Sequence, residues 1–272
     1  MKLLVKTILV IFFVSFSKIL YSESTLKILS TTSTRDSGFY AYILPFFEEK
    51  FNIQTFTIST GTGQAIMNAK NCNGDILITH AENLENKFVE ENYGISRNNL
   101  MYNNFIIIGP SKFKSLFLSI TDVKDAFKLI YEKKLKFVSR GDKSGTHISE
   151  KKIWSRAGID VNKIGSWYLK VGQGMGSTLN IAIAMDALTY SDSATWLKFS
   201  NKQSHKILFN EDTMMMNQYG IVLINPKYCN NINHNSARLF HDWILSNEGQ
   251  SLIRNYKYEN MSLFIPNYKE NN

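Results

Sequence analysis

Four short segments of this 272-residue chain bring hydroxyls, glycines and one guanidinium to places where a helix should begin. They are Ser30-Thr31-Thr32-Ser33-Thr34, Ser59-Thr60-Gly61-Thr62-Gly63, Ser139-Arg140-Gly141-Asp142-Lys143-Ser144-Gly145-Thr146 and Gly172-Gln173-Gly174-Met175-Gly176-Ser177-Thr178. The first turn of a helix leaves N–H groups unpaired and carries partial positive charge, and Ser and Thr add rotatable donors. A tetrahedral dianion without a proton needs donors and a balancing charge, and no ionised carboxylate in contact. Three helix starts at about half a charge each, together with one Arg, sum to roughly +2.5, enough for such an anion.

Each segment also has an ordinary structural use. Thr32 and Ser33 would serve as helix caps, and Gly61-Thr62-Gly63 as a tight turn that equally lets backbone approach a ligand. Gly174 to Thr178 would serve as a capped flexible turn. The third segment is the most telling, because Arg140 ends an apolar strand, where burial without an anionic partner is costly. Asp36 and Asp142 are acids within these loops and are expected to point away or to fix neighbouring donors.

Catalytic readings find less support. The five histidines, His80, His147, His205, His234 and His241, show no helical metal pairing and no adjacent cysteine cluster. His147 lies near Ser144, but no Gly-x-Ser-x-Gly elbow exposes a nucleophile. The glycine segment lacks both the Gly-Lys-Ser/Thr ending of a phosphate loop and the spacing of a dinucleotide fingerprint. An enzyme that cradles a phosphorylated substrate with these loops is the alternative from a different class, and it calls for a general base and usually a metal. A sensory module that reports its ligand to a membrane partner is a third.

The chain opens Met1-Lys2-Leu3-Leu4-Val5-Lys6, followed by an apolar run from Thr7 to Phe16 that is too short to span a bilayer. That pattern predicts a signal peptide over residues 1–22, cleaved near Ser22, and a mature protein in a periplasm. No Cys follows the run, so no lipid anchor is expected. The formal charge of +8 includes Lys2, Lys6 and Lys18, and without them falls to +5. This mild excess favours anionic partners. Nucleic acid is not expected, because the lysines are scattered without interleaved aromatics. Cys72 and Cys229 make no disulfide framework, although an oxidising compartment would permit one bridge.

The elements that must position the loops alternate between apolar strands and amphipathic helices. Strands are predicted at Leu26–Ser30, Ile53–Ile58, Asp75–Thr79, Tyr102–Gly109, Leu135–Ser139, Trp167–Val171 and Met216–Ile224. Helices are predicted over Asp36–Lys50, Gln64–Ala69, Glu82–Glu91, Thr121–Lys133, Ile148–Ala157, Leu179–Asp186, Ser236–Leu245 and Glu248–Tyr256. The rhythm describes an α/β protein of two units with parallel-type sheets flanked by helices, joined by extended strands and separated by a cleft.

From Leu26 to Pro266 the chain resembles the periplasmic tungstate-binding proteins of ABC importers, the TupA type. The resemblance rests on Thr31 to Gly38, Gly61-Thr62-Gly63-Gln64-Ala65, Glu90-Glu91-Asn92-Tyr93-Gly94, Met101 to Phe105, Ser139 to His147, and Trp167-Tyr168 with Gly172 to Gly176. It implies a two-lobed, class II-like binding protein with two hinge strands, closing over one oxyanion. Lobe I would comprise residues 23–108 and 217–272, and lobe II residues 109–216. By position in the matching motifs it assigns the ligand to Ser33, Thr62, Arg140 and Thr146, then Ser144, Gly145, Gly176 and Ser177, and Thr32 beside Ser33 is a further candidate. It further implies a monomeric, non-enzymatic receptor with no cofactor, whose ligand is tungstate, or alternatively molybdate or another oxyanion, and whose partner is an inner-membrane ABC permease. One departure stands out: the relatives' Asp-Arg-Gly-Thr is replaced by Asp192-Ser193-Ala194-Thr195, which removes a basic residue and a glycine.

Overall fold

The computed structural model describes residues 24–210 and 212–269. The expected signal peptide, with its cleavage point at Ser22, lies outside the described residues.

The first unit is built from β1 (Ser24–Thr31), α1 (Thr32–Asp36), α2 (Phe39–Phe51), β2 (Ile53–Thr60), α3 (Thr62–Lys70), β3 (Ile76–Thr79) and α4 (Glu82–Glu90). The long β4 (Gly94–Pro110) leads into α5 (Val123–Glu132), β5 (Phe137–Ser139), α6 (Gly145–Arg156), β6 (Tyr168–Lys170), α7 (Met175–Ala184), β7 (Leu188–Asp192), α8 (Ser193–Lys198) and β8 (His205–Phe209). Then β9 (Met216–Ile224) returns to the first unit, followed by α9 (His234–Leu245) and α10 (Asn247–Asn255). The chain closes with a hairpin of β10 (Lys257–Tyr258) and β11 (Met261–Ser262), and β12 (Ile265–Pro266).

Strand order is β2-β1-β3-β9-β4-β7-β5-β6, with β8 and β12 also on β4. The strands β1, β2 and β3 run parallel, as do β5, β6 and β7. Antiparallel β4 and β9 link the two sets. The register divides β4: Gly94 to Asn104 pairs with β9, while Phe105 to Pro110 pairs with β7 and β8. One strand therefore belongs to both halves, and the start of β9 brings the chain back beside it.

Burial follows the two-residue period of a strand covered on both faces. Phe105 and Ile107 face Phe127, Phe137 and Trp154, whereas Ile106 and Ile108 face Met175, Leu179 and Trp196. In the first half, Leu26 and Ile28 join Phe39, Phe47, Tyr219 and Phe240, while Leu29 packs with Ala65, Leu77 and Val222 on the opposite face. Cys72 and Cys229 are disulfide-bonded at the edge of this second cluster.

Several element boundaries differ from the sequence reading. The helix expected over Asp36–Lys50 is two helices, because Gly38 adopts a left-handed φ of 77°. A Cβ there would also lie 2.8 Å from the Tyr256 hydroxyl. The helix expected from Thr121 begins at Val123, capped by Asp122, which accepts from Lys124 N at 2.7 Å. The helix expected from Ile148 begins at Gly145, with Ser144 as its cap. The one expected from Leu179 begins at Met175, after an extended Gly174, which places Gly176 and Ser177 in its first turn. Strands β7 and β8 and helix α8 were not anticipated.

Candidate functional site

The β1–α1, β2–α3, β5–α6 and β6–α7 connections meet at one place, around Arg140. Its side chain leaves the end of β5 and is only 2% exposed. It donates from Nη1 to Ser33 Oγ at 3.0 Å, from Nη2 to Thr32 Oγ1 at 3.3 Å and from Nε to the Gln173 carbonyl at 3.3 Å. A second bridge lies beside it, where Gly145 N, at the start of α6, donates to Thr62 Oγ1 at 3.0 Å. Gly174 approaches Thr32 Oγ1 closely, since a Cβ on Gly174 would sit 3.8 Å away.

The hydroxyl chemistry follows from these bonds. Thr32, Ser33 and Thr62 each accept from an N–H, and Ser144 Oγ accepts from His147 N at 3.3 Å. An oxygen that accepts in this way keeps its own proton to donate. Thr146 Oγ1 is buried without any partner. The site therefore holds five hydroxyl protons with no acceptor assigned to them by these contacts, set among buried helix starts. That is a donor-rich cluster suited to oxyanions.

Two acids modify the charge balance. Asp142 accepts from Arg140 Nη2 at 2.5 Å and from Ser144 N at 3.1 Å, so it fixes two neighbouring donors. Its carboxylate also offsets the guanidinium, which lowers the sequence-derived sum from roughly +2.5 to about +1.5. Asp36 accepts from the Arg35 side chain at 2.8 Å, and its other oxygen lies 3.8 Å from where a Gly176 Cβ would be.

Of the nine residues singled out, Thr32, Ser33, Thr62, Arg140 and Gly145 make direct contacts between the two halves of the chain. Ser144 and Thr146 are buried beside them, and Gly176 faces α1. Ser177 is exposed on the first turn of α7 and takes part in none of these contacts.

The same residues can be compared with known proteins. The sequence matches the PBP superfamily domain over residues 22–248. It is 38% identical over 252 residues to the tungstate-binding protein TupA of Peptoclostridium acidaminophilum, covering 90% of this chain and 87% of that one. The TupA of Campylobacter jejuni is 34% identical, with 86% and 87% covered. The chain belongs to the TupA family. Two solved structures agree in fold. A tungstate ABC transporter protein from Geobacter sulfurreducens superposes with a TM-score of 0.79 at 38% identity, covering 86% of this chain and 99% of that one. TupA from Desulfovibrio alaskensis G20 gives 0.78 at 34%, with 90% and 100% covered.

Within this TupA framework, the segment Asp192-Ser193-Ala194-Thr195 starts α8 directly beneath the site. Asp192 Oδ1 accepts from Thr195 N at 2.8 Å, and Thr195 Oγ1 reaches the Ser33 carbonyl at 3.5 Å. Ala194 is fully buried in the core of the first half, where a methyl fits. Asp192 Oδ2 is buried without a partner, and burial raises its pKa.

Sequence reasoning missed two further groups. Glu150, on α6 one turn beyond Thr146, accepts from Ser139 Oγ at 2.8 Å, Trp154 Nε1 at 3.1 Å and Tyr168 OH at 2.6 Å. Burial outweighs these three donors and pushes its pKa up to about 7. His80, at the end of β3, stacks on Tyr219 with ring centroids 5.0 Å apart. Its only signal in the sequence was a polar residue closing a buried apolar strand.

Proposed function

We propose that this protein is a periplasmic receptor that captures tungstate in the cleft and delivers it to the permease of an ABC importer. The observation that carries this reading is Arg140. A buried guanidinium at the end of one strand reaches two hydroxyls of the opposite loop and sits among the starts of α1, α3, α6 and α7. The relatives at 34–38% identity that carry the tungstate-binding name support the choice of ligand. Thr32, Ser33, Thr62, Ser144, Gly145 and Thr146 would donate to the oxyanion beside Arg140, with Gly176 and Ser177 closing the pocket from α7. Residues 23–108 with 217–272 would form one lobe and residues 109–216 the other, with β4 and the start of β9 as hinges. The anion would favour closure because only the closed form lets both half-sites contact it.

The test is calorimetric titration of residues 23–272 with tungstate, with molybdate, sulfate and phosphate as competitors. One tight tungstate site per chain, with molybdate weaker, supports the reading. Binding of another oxyanion without tungstate would keep the receptor and replace its ligand. No binding by any of the four would refute the receptor reading.

A further inference from the structure

His80 lies beside the start of α6, and its hydrogen bonds define which nitrogen is free. Nδ1 lies 2.8 Å from Asn217 Oδ1, and the Asn217 amide nitrogen donates to Asn103 Oδ1 at 2.7 Å. The amide oxygen therefore faces the ring, Nδ1 carries the hydrogen, and Nε2 carries the lone pair. Nε2 is buried and has no partner. The ring lies against Gly145 through its Cε1–Nδ1 edge, since a Cβ at that position would be 2.7 Å from both His80 Cε1 and Nδ1. Gly145 is the residue whose amide is bonded to Thr62; its neighbour Thr146 has an orphaned Oγ1, and Asn103, in the chain that ends on His80, an orphaned Nδ2.

The charge balance gives that lone pair a consequence. With Asp142 offsetting Arg140, and with α1 only five residues long and adding little dipole of its own, the starts of α3, α6 and α7 supply about +1.5 against a dianion's two charges. A buried Asp192 carboxylate would widen the shortfall if ionised. We propose that His80 is the proton acceptor of the oxyanion site: capture of a dianion in the cleft is accompanied by uptake of one proton from solvent at His80 Nε2. The lone pair becomes an N–H donor, and the imidazolium supplies the missing positive charge. This inference rests on the oxyanion-receptor reading above.

The groups facing His80 are consistent with a neutral ring before capture. Burial holds its pKa down to about 4, and Arg140 acts in the same direction while Asp142 opposes it. Tyr219, stacked on the ring, is kept neutral by its own burial. Glu82 on α4 and Lys152 on α6 line, with His80, a cavity of about 200 Å³ beside the ring. Glu85 Oε1 accepts from Thr79 Oγ1 at 2.6 Å and Ala81 N at 2.8 Å, which fixes the backbone on both sides of His80. Adding a dianion next to the ring reverses the local field without moving these anchors.

The experiment is tungstate titration near pH 6 in a series of buffers that differ in ionisation enthalpy, with the full mature chain. The slope of observed enthalpy against buffer enthalpy counts protons. About one proton taken up per tungstate by the wild type, and close to none by His80→Gln, is the expected result. The wild-type association constant should then fall about tenfold per pH unit between the free and bound pKa values of His80. Should His80→Gln fold poorly, nitrogen NMR of the wild-type histidines gives a direct readout, because Nε2 of His80 must change from lone pair to N–H on tungstate addition. Tungstate binding with no proton uptake, or with uptake that persists in His80→Gln, overturns the proposal while leaving the receptor reading intact. Tighter binding of hydrogen phosphate without proton uptake overturns it too, since the lone pair would then be accepting the ligand's own hydrogen. Absence of all oxyanion binding would refute the receptor reading and this inference with it.

Discussion

Glu150→Gln should flatten the pH dependence of stability, and the structure gives both sign and size. The carboxyl is buried, and its pKa is raised from 4.5 to about 7. The folded state therefore holds the proton more tightly than the unfolded chain does. Stability from this group is complete below about pH 4.5, declines as pH rises, and is lost above about pH 7. At about 1.4 kcal/mol per pH unit, the decline between pH 5 and 8 amounts to about 3 kcal/mol. Glutamine preserves the geometry: its oxygen can accept from Trp154 and Tyr168, and its NH₂ can donate to Ser139 Oγ, which is able to turn and accept. Urea unfolding of wild type and variant at both pH values isolates the effect, because every other titrating group cancels in the difference. The variant should match the wild type at pH 5 and exceed it by about 3 kcal/mol at pH 8. A difference between the two proteins that does not change with pH would refute the argument that burial outweighs the three hydrogen bonds.

Three other perturbations test separate parts of the molecule. Arg140→Ala should weaken tungstate binding by about a hundredfold or more, since it removes charge-assisted donors and leaves Asp142 without its partner; unchanged affinity in the same titration would remove Arg140 from the site. Gly220→Ala would place a Cβ 2.1 Å from Glu85 Oε2 and 3.0 Å from Arg97 Nε, crowding a buried ion pair, and should cost about 2–3 kcal/mol in chemical denaturation. Cys72→Ser with Cys229→Ser opens a cross-link spanning 157 residues and should lower stability by about 3 kcal/mol, while oxyanion affinity, measured below the unfolding range, stays the same.

The sequence carried the fold further than the site. Apolar runs such as Ile76 to Thr79 and Phe105 to Ile108 are buried on both faces, so their local pattern already implies their place. Helix starts were legible where a hydroxyl or glycine marks them, although Gly38 and Gly174 shifted boundaries through backbone conformations that composition does not specify. Strand β7 was not legible, because Leu188-Thr189-Tyr190-Ser191-Asp192 mixes polar and apolar residues that all become buried through tertiary contacts. In the site, the hydroxyls and Arg140 were visible by type. The offset of Arg140 by Asp142 and the orphaned atoms of His80, Thr146 and Asp192 were not. Those depend on which side chains meet across the cleft, and no residue pattern within one segment encodes such a meeting.

The contacts between the two halves also bear on the Asp192-Ser193-Ala194-Thr195 segment. A ligand can drive closure only by the difference in its affinity for the closed and open forms. Bonds that the protein makes across the cleft with its own groups lower the work left for the anion. Arg140 with Ser33 and Thr32, Gly145 with Thr62, and Thr195 with the Ser33 carbonyl are such bonds. The hydroxyls among them act as acceptors toward the protein and keep a proton to donate, so these bonds do not exhaust the donors of the proposed site. With no basic side chain at position 193, the positive charge for closure must come from Arg140 and the helix starts, and Arg140 is already engaged by Asp142. A protein in that position gains more from a proton arriving with the anion than one carrying a further arginine. Adding charge by Ser193→Arg should therefore reduce proton uptake on tungstate binding, because the field that raises the His80 pKa would be partly neutralised before the proton arrives. Undiminished uptake in that variant would break the link between this segment and His80.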